Sequence, residues 1–356
     1  MFSLDPKIAD PDSAVRARHR EYGKFCEELS IILLAPSGKE ERVVEGAMTL
    51  YTPGKGSRGG IKTWARFLGD AIAEEYTEKG DGVVTSQDPF FVGYIAWQVA
   101  RRAGLPLQLQ LHTDIFAPEF YQESFKNKIR YWLARFLLAR ATGVRVVASK
   151  VKEQLVRRWH IAADKVSVLP VFVDVQQFQK QPSFSLKEKY PEFGKIVLVV
   201  SRLAREKRVD RAIDVFARLH KQHPDFGLII VGVGPELENL QLKTKNYQLE
   251  TAILFAGWQN DLVSYYKGAD ALLVTSDYEG YGMQIVEALA SGCPVVSTDV
   301  GIAREAGALV ARTDEELSQL LVRVLTTARV AHLSKDFEFS KEEYLSRFTD
   351  SLRICL

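Results

Sequence analysis

The sequence predicts an α/β protein built on two doubly wound parallel sheets. Three observations carry that expectation. Short β-branched runs alternate with longer stretches of helical periodicity, runs such as Ile196-Val197-Leu198-Val199-Val200 are apolar on both faces, and a polar, patternless stretch divides the pattern near its middle. A strand apolar on both sides suits a parallel sheet covered by helices, and strands spaced by helices make right-handed βαβ units.

In the first half, strands are expected at 31–35, 48–51, 82–85, 107–111, 145–148 and 166–169. Helices fall between them at 14–29, 61–77, 91–103, 126–141 and 150–159. The second half repeats the alternation, with strands at 196–200, 228–231, 253–256, 271–275, 294–297 and 308–310. Its helices are 209–222, 235–248, 261–268, 282–291, 314–327 and 341–354. The boundary lies in 173–195, around Gln176-Gln177-Phe178-Gln179-Lys180-Gln181-Pro182-Ser183. This gives Rossmann-like domains at 1–175 and 190–335 and a last helix in 336–356. Ligands of open α/β sheets bind outside the carboxyl ends of the strands, so two such domains facing one another would bind in the cleft between them.

With 356 residues, 46% hydrophobic and 26% charged, the chain can bury two cores, which excludes a disordered or disulfide-stapled protein. No run reaches the ~18–20 apolar residues of a membrane span. The opening Met1-Phe2-Ser3-Leu4-Asp5-Pro6-Lys7 meets prolines and acids too soon for a signal peptide. Cys26, Cys293 and Cys355 are scattered, without metal or disulfide spacing, and read as reduced thiols. A cytoplasmic location is therefore expected. Residues 1–180 carry 26 Lys and Arg against 21 Asp and Glu. Ten of these cations and a single acid, Glu153, lie in 124–158. Such a patch suits a phosphate-bearing ligand or an anionic membrane face, and equally a solvated helix surface.

The segment from Ser276 to Val296 is densest in chemistry. A strand ends at Thr275, Glu279-Gly280-Tyr281-Gly282 forms a loop, and a helix opens with Met283 and Gln284. Free amides at a helix start bind anions, and glycine lets backbone approach them closely. Glu279 before the helix and Glu287 on it suit hydroxyl groups on either side of a bound phosphate; helix capping and a solvated face fit them equally. In Ser201-Arg202-Leu203-Ala204-Arg205-Glu206-Lys207, Arg202 and Lys207 follow a strand and suit a diphosphate, though with Arg205 and Arg208 beside them a plain basic loop fits as well. Val231-Gly232-Val233-Gly234-Pro235 is a strand-to-helix turn that tight geometry alone accounts for. His112 follows a strand in the first half and suits a hydrogen bond to a ligand hydroxyl, although an isolated histidine more often has a structural role.

In order and spacing these segments resemble the retaining glycosyltransferases of family 4, or group 1, which have the GT-B fold. The resemblance runs through Ser201-Arg202-Leu203 with Glu206-Lys207, Val231–Glu236, Phe255-Ala256-Gly257, Tyr266-Lys267-Gly268-Ala269-Asp270, the pair Glu279 and Glu287, and Ala290–Thr298. It is looser in the first half, at Ser86–Phe90, Gln110–Asp114 and Leu169–Asp174. It implies that Arg202 and Lys207 grip the donor diphosphate, Glu287 binds ribose, Glu279 and His112 face the donor sugar, and the Gly280–Gln284 amides hold sugar and phosphate. The chain departs from the family in opening without a glycine pair, and in Gln284, where an apolar residue or proline is frequent.

The resemblance implies transfer from a UDP- or GDP-sugar to a glycan or lipid-linked acceptor, with retention. No metal or cofactor is expected, because cationic side chains meet the diphosphate; Asp10-Pro11-Asp12 lacks a metal site's strand context. Lys128, Trp132, Leu133, Arg135, Phe136 and Leu137 form an amphipathic helix suited to an anionic membrane. Nucleic acid is not expected as a partner. The rival readings are nucleotide-sugar binding without turnover and a sugar-nucleotide epimerase. A dinucleotide-dependent oxidoreductase would need GxGxxG after its first strand and an acid about 20 residues on, which neither half supplies together.

Overall fold

The apolar runs form the parallel strands of two sheets, one of which also has an antiparallel edge strand, in the computed structural model, which describes residues 1–79, 82–327 and 331–356. The chain divides into one unit of Met1–Pro170 with Lys341–Leu356 and a second of Val171–Ser340.

The first unit contains β1 (Phe2–Ser3), β2 (Leu29–Leu33), β3 (Glu40–Glu45), β4 (Met48–Pro53), β5 (Val84–Ser86), β6 (Leu107–Leu111), β7 (Gly143–Val146) and β8 (Val166–Val168). Their order is β3-β4-β2-β1-β5-β6-β7-β8. The helices are α1 (Ala14–Gly23), α2 (Arg58–Lys79), α3 (Phe91–Ala103), α4 (Pro118–Glu123), α5 (Phe125–Leu138) and α6 (Ser149–Trp159).

Three features differ from the sequence expectation. The helix expected over 14–29 stops at Gly23, where a Cβ would already meet Met48 N at 3.4 Å, and Leu29 instead enters β2 opposite Met48. The polar run Glu40–Glu45 is a strand, because it pairs antiparallel with β4 across Gly46, at φ 60°. Its exposed, charged side chains suit a sheet edge. The basic stretch 124–158 is not one surface: it becomes α5, the buried β7 and α6. Arg145, in β7, is buried and donates to Gln110 Oε1 at 3.1 Å and Tyr344 Oη at 2.9 Å.

The second unit contains β9 (Lys195–Val200), β10 (Phe226–Val231), β11 (Ile253–Gly257), β12 (Ala271–Val274), β13 (Val295–Thr298) and β14 (Leu309–Ala311), in the order β11-β10-β9-β12-β13-β14. Every pairing is parallel. The helices α7 (Val175–Gln179) and α8 (Leu186–Lys189) precede the sheet, and α9 (Val209–His220), α10 (Leu237–Asn246), α11 (Leu262–Gly268), α12 (Met283–Ala290), α13 (Ala303–Ala306) and α14 (Asp314–Thr326) alternate with its strands. Val197, Val199, Leu228 and Ile230 pack with Ile213, Phe216 and Leu321 in the core. The chain order reverses between β9 and β12, so the loops after these two strands meet at the switch point of the sheet.

The last helix, α15 (Lys341–Arg353), belongs to the first unit. Tyr22 stacks on Phe348 with centroids 4.2 Å apart, and Gln108 Nε2 donates to Ser351 O at 2.6 Å.

Candidate functional site

The loop after β12 is held from three sides. Asp277 N donates to Glu206 O at 2.9 Å, Thr298 Oγ1 to Ser276 O at 2.7 Å, and Ile302 N to Tyr281 O at 3.0 Å. Gly301 permits the last contact, since a Cβ there would lie 2.1 Å from Tyr281 O. The loop ends at Gly282, whose φ of 97° is a left-handed turn that glycine adopts cheaply. Helix α12 starts there with no side-chain cap, and the Met283 and Gln284 amides make no hydrogen bond among the described residues. Those amides and the helix dipole form an anion-binding end.

Lys207 and Glu279 meet at this loop. Lys207 Nζ lies 2.7 and 2.6 Å from Glu279 Oε1 and Oε2, and both side chains are largely buried. Ser276 Oγ and Gln284 Nε2 also donate to Glu279 Oε1, at 2.9 and 3.1 Å. Gln284, which departs from the usual family residue, therefore braces the carboxylate. Tyr281 is buried, Gly280 is half-buried and Met283 is exposed.

Arg202 is not in that cluster: its guanidinium is exposed and pairs with Glu206 four residues on. Glu287 sits further along α12, where Tyr266 Oη donates to its Oε2 at 2.8 Å. Its Oε1 has no partner among the described residues. Burial pushes the Glu287 carboxyl above its ordinary range, opposed by the Tyr266 hydrogen bond. Gly232 does structural work: at φ 138°, a Cβ would come within 1.9 Å of Ser201 O, beside Arg202. The carboxyl ends of β9, β10 and β12 thus bring together loops carrying Gly232, Arg202, Lys207 and Glu279. Sequence reasoning left Tyr266 without a role, since no local pattern marks a side chain as the partner of a carboxylate 21 residues away. Ser276 and Glu206, though close in sequence to their partners Glu279 and Arg202, were also left without one.

In the first unit, His112 follows β6 and its Nε2 lies 3.1 Å from Gln110 Oε1. That oxygen also accepts from Arg145, while Gln110 Nε2 donates to Thr85 Oγ1 at 3.2 Å. His112 Nε2 is therefore the donor, and a neutral ring presents Nδ1 as an acceptor. Although the side chain reaches solvent, the protein packed around it and then the Arg145 cation hold its pKa well below the usual imidazole range. No group of three or more His, Cys, Asp or Glu side chains converges among the described residues.

The sequence pattern of a family described as glycosyl transferases group 1 matches residues 181–321, and that of the glycosyl transferase 4-like domain matches 20–171. Alpha-monoglucosyldiacylglycerol synthase of Streptococcus pneumoniae is 25% identical over 227 residues, covering 60% of this chain and 51% of that protein. The chain thus spans about half the length of this curated relative. Among solved structures, sucrose-phosphate synthase of Thermosynechococcus elongatus superposes with a TM-score of 0.73 at 17% identity, over 99% of this chain and 93% of that one. Anabaena HepE, in complex with UDP and glucose, superposes at 0.68 with 19% identity, over 99% and 92%. At such identities the likeness shows the fold, the two-sheet GT-B class expected from the sequence.

Proposed function

The chain belongs to the glycosyl transferases of group 1, and we propose that it moves a sugar from a nucleoside diphosphate donor to an acceptor hydroxyl, with retention at the anomeric carbon. The observation that carries this reading is the Lys207–Glu279 pair, braced by Ser276 and Gln284 beside the open amides of α12. Glycosyl transfer passes through an oxocarbenium-like state while negative charge grows on the leaving diphosphate. Fixed positive charge and dipoles at that diphosphate are what the reaction needs most.

In this proposal Lys207 and the α12 amides meet the diphosphate, and Arg202, freed from Glu206, adds a second cation. Glu279 orients the sugar hydroxyls, and Glu287 Oε1 accepts from the ribose. The leaving phosphate takes the acceptor proton, and no metal is required. His112 Nδ1 accepts a hydrogen bond from the transferred sugar. The UDP and glucose bound by Anabaena HepE support a UDP-sugar donor ahead of a GDP-sugar. The Streptococcus pneumoniae relative, by its name a glycolipid-forming enzyme, supports a lipid or lipid-linked acceptor as one of the two acceptor classes.

A thermal-shift panel of UDP- and GDP-sugars, with and without chelator, followed by mass analysis of transferred hexose, tests the reading. A donor-specific shift that persists with chelator, and a hexose-bearing product with unchanged anomeric configuration, are expected. Binding without turnover, or an epimerised sugar nucleotide as product, would replace it.

A further inference from the structure

Helix α5 buries one face and leaves a second apolar face uncovered. Ala134, Leu137 and Leu138 point into the core, so Leu137 does not belong to the outer face to which the sequence pattern assigned it. Phe125, Ile129, Trp132 and Phe136, at helical spacing of three and four residues, lie on the solvent side. Phe125 is 77% exposed and Trp132 55%, values uncommon for such large apolar side chains. This stripe continues across neighbouring helices. Phe125, Ile129 and Trp132 line an apolar groove of 650 Å³ with Phe91 and Tyr94 of α3 and Tyr121 of α4.

Cations border the same groove. Lys128 Nζ lies 5.7 Å from the Tyr121 ring centroid and Arg135 Cζ 5.5 Å from that of Trp132, while Lys62 reaches from α2 to 4.8 Å from Phe91. Helices α3 and α5 together carry six Lys and Arg residues and no carboxylate, and α4 adds two exposed acids, Glu119 and Glu123. Lys126, Lys128 and Arg135 have no acidic partner among the described residues. A protein partner would meet this surface with either sign of charge in patches. Aromatic rings bordered by an excess of cations instead match an interface whose apolar layer lies beneath a negative one.

We propose that α5, with the adjoining ends of α3 and α4, seats the protein on an anionic lipid surface, with Phe125 and Trp132 entering the headgroup–acyl boundary and Lys128 and Arg135 meeting the headgroups. The proposal stands on exposed side chains of the first unit and does not depend on the donor chemistry proposed above. Anchored this way, the chain needs no membrane-spanning helix; among the described residues none is long and apolar enough to be one.

Co-sedimentation of the full chain with phosphatidylglycerol-containing vesicles and with pure phosphatidylcholine vesicles, each at low and high salt, tests it. Binding to the anionic vesicles alone, weakened by salt, is expected. K128Q/R135Q should bind about 30-fold more weakly, at about fivefold for each cation lost. F125S/W132S should lose binding at any salt, with melting temperatures unchanged in both variants. Equal binding to neutral vesicles, or anionic binding indifferent to both variants, overturns the proposal. So does failure of the wild type to bind either vesicle while it self-associates in a manner abolished by F125S/W132S. Hexose transfer to a soluble acceptor is unaffected by either variant in every case, so a failed donor reading and a failed docking reading remain distinct.

Discussion

Replacing Lys207 by methionine keeps the aliphatic stem and removes the charge from the site's central pair. Glu279 is 8% exposed and Lys207 18%, so the substitution strands a carboxylate almost wholly out of water. Breaking a buried pair from one side costs about 3–5 kcal/mol. Ser276 and Gln284 still donate to Glu279 Oε1, which places the loss in folding stability nearer about 2–3 kcal/mol. The effect on catalysis is separate. A charge-assisted hydrogen bond to the departing diphosphate contributes about 1.5–3 kcal/mol, which is about 10- to 150-fold in turnover. The double variant K207M/E279Q tells the two apart, because removing both charges restores the buried site to neutrality without restoring the cation. Urea unfolding followed by circular dichroism should show K207M destabilised and the double variant largely recovered. Turnover, measured with the nucleotide sugar giving the largest thermal shift, should stay low in both. Turnover within twofold of wild type in K207M would refute the assignment. Recovery of turnover together with stability in the double variant would also sink it, since Lys207 would then serve only to neutralise Glu279.

Glu287→Gln should raise the melting temperature of the ligand-free protein at neutral pH, because burial disfavours the carboxylate and the amide oxygen still accepts from Tyr266. The same variant should bind donor about 10-fold or more weakly, read by calorimetry, through loss of a charged acceptor. The edge strand predicts acid sensitivity. Arg20 and Arg16 hydrogen-bond Glu45 and lower its pKa to about 2 from 4.5, so this stabilisation is complete above about pH 5 and is lost as pH falls towards 2. With Glu45 about a quarter exposed, solvent screening limits it to about 1–2 kcal/mol, and E45Q should flatten the corresponding part of a stability-against-pH profile.

The β-branched runs were legible as parallel strands because an apolar residue has the same reason to be buried wherever the chain turns. Phe2–Ser3 shows the limit of that logic: only two residues long, it occupies the sheet between β2 and β5, and pairing rather than pattern makes it a strand. Glu40–Glu45 is the converse, a polar run made a strand by an edge that β4 offers it. In the site, Lys207 and Glu279 could be named separately from their places after two strands, each beside a helix start. That they share a contact 72 residues apart in the chain follows from the reversal of strand order between β9 and β12. Gln284 is the plainest case. Its residue type was only a departure from pattern, and its amide became meaningful once the loop carried Glu279 to within 3.1 Å. The outer face of α5 is similar, since helical periodicity marks two apolar stripes and cannot say which the core covers. Periodicity and residue chemistry act over a few positions and can be read along a line. The pairing of a buried charge, and the uncovering of an apolar face, depend on which segments pack alongside, and that is settled by the order of the strands and the packing of the helices upon them.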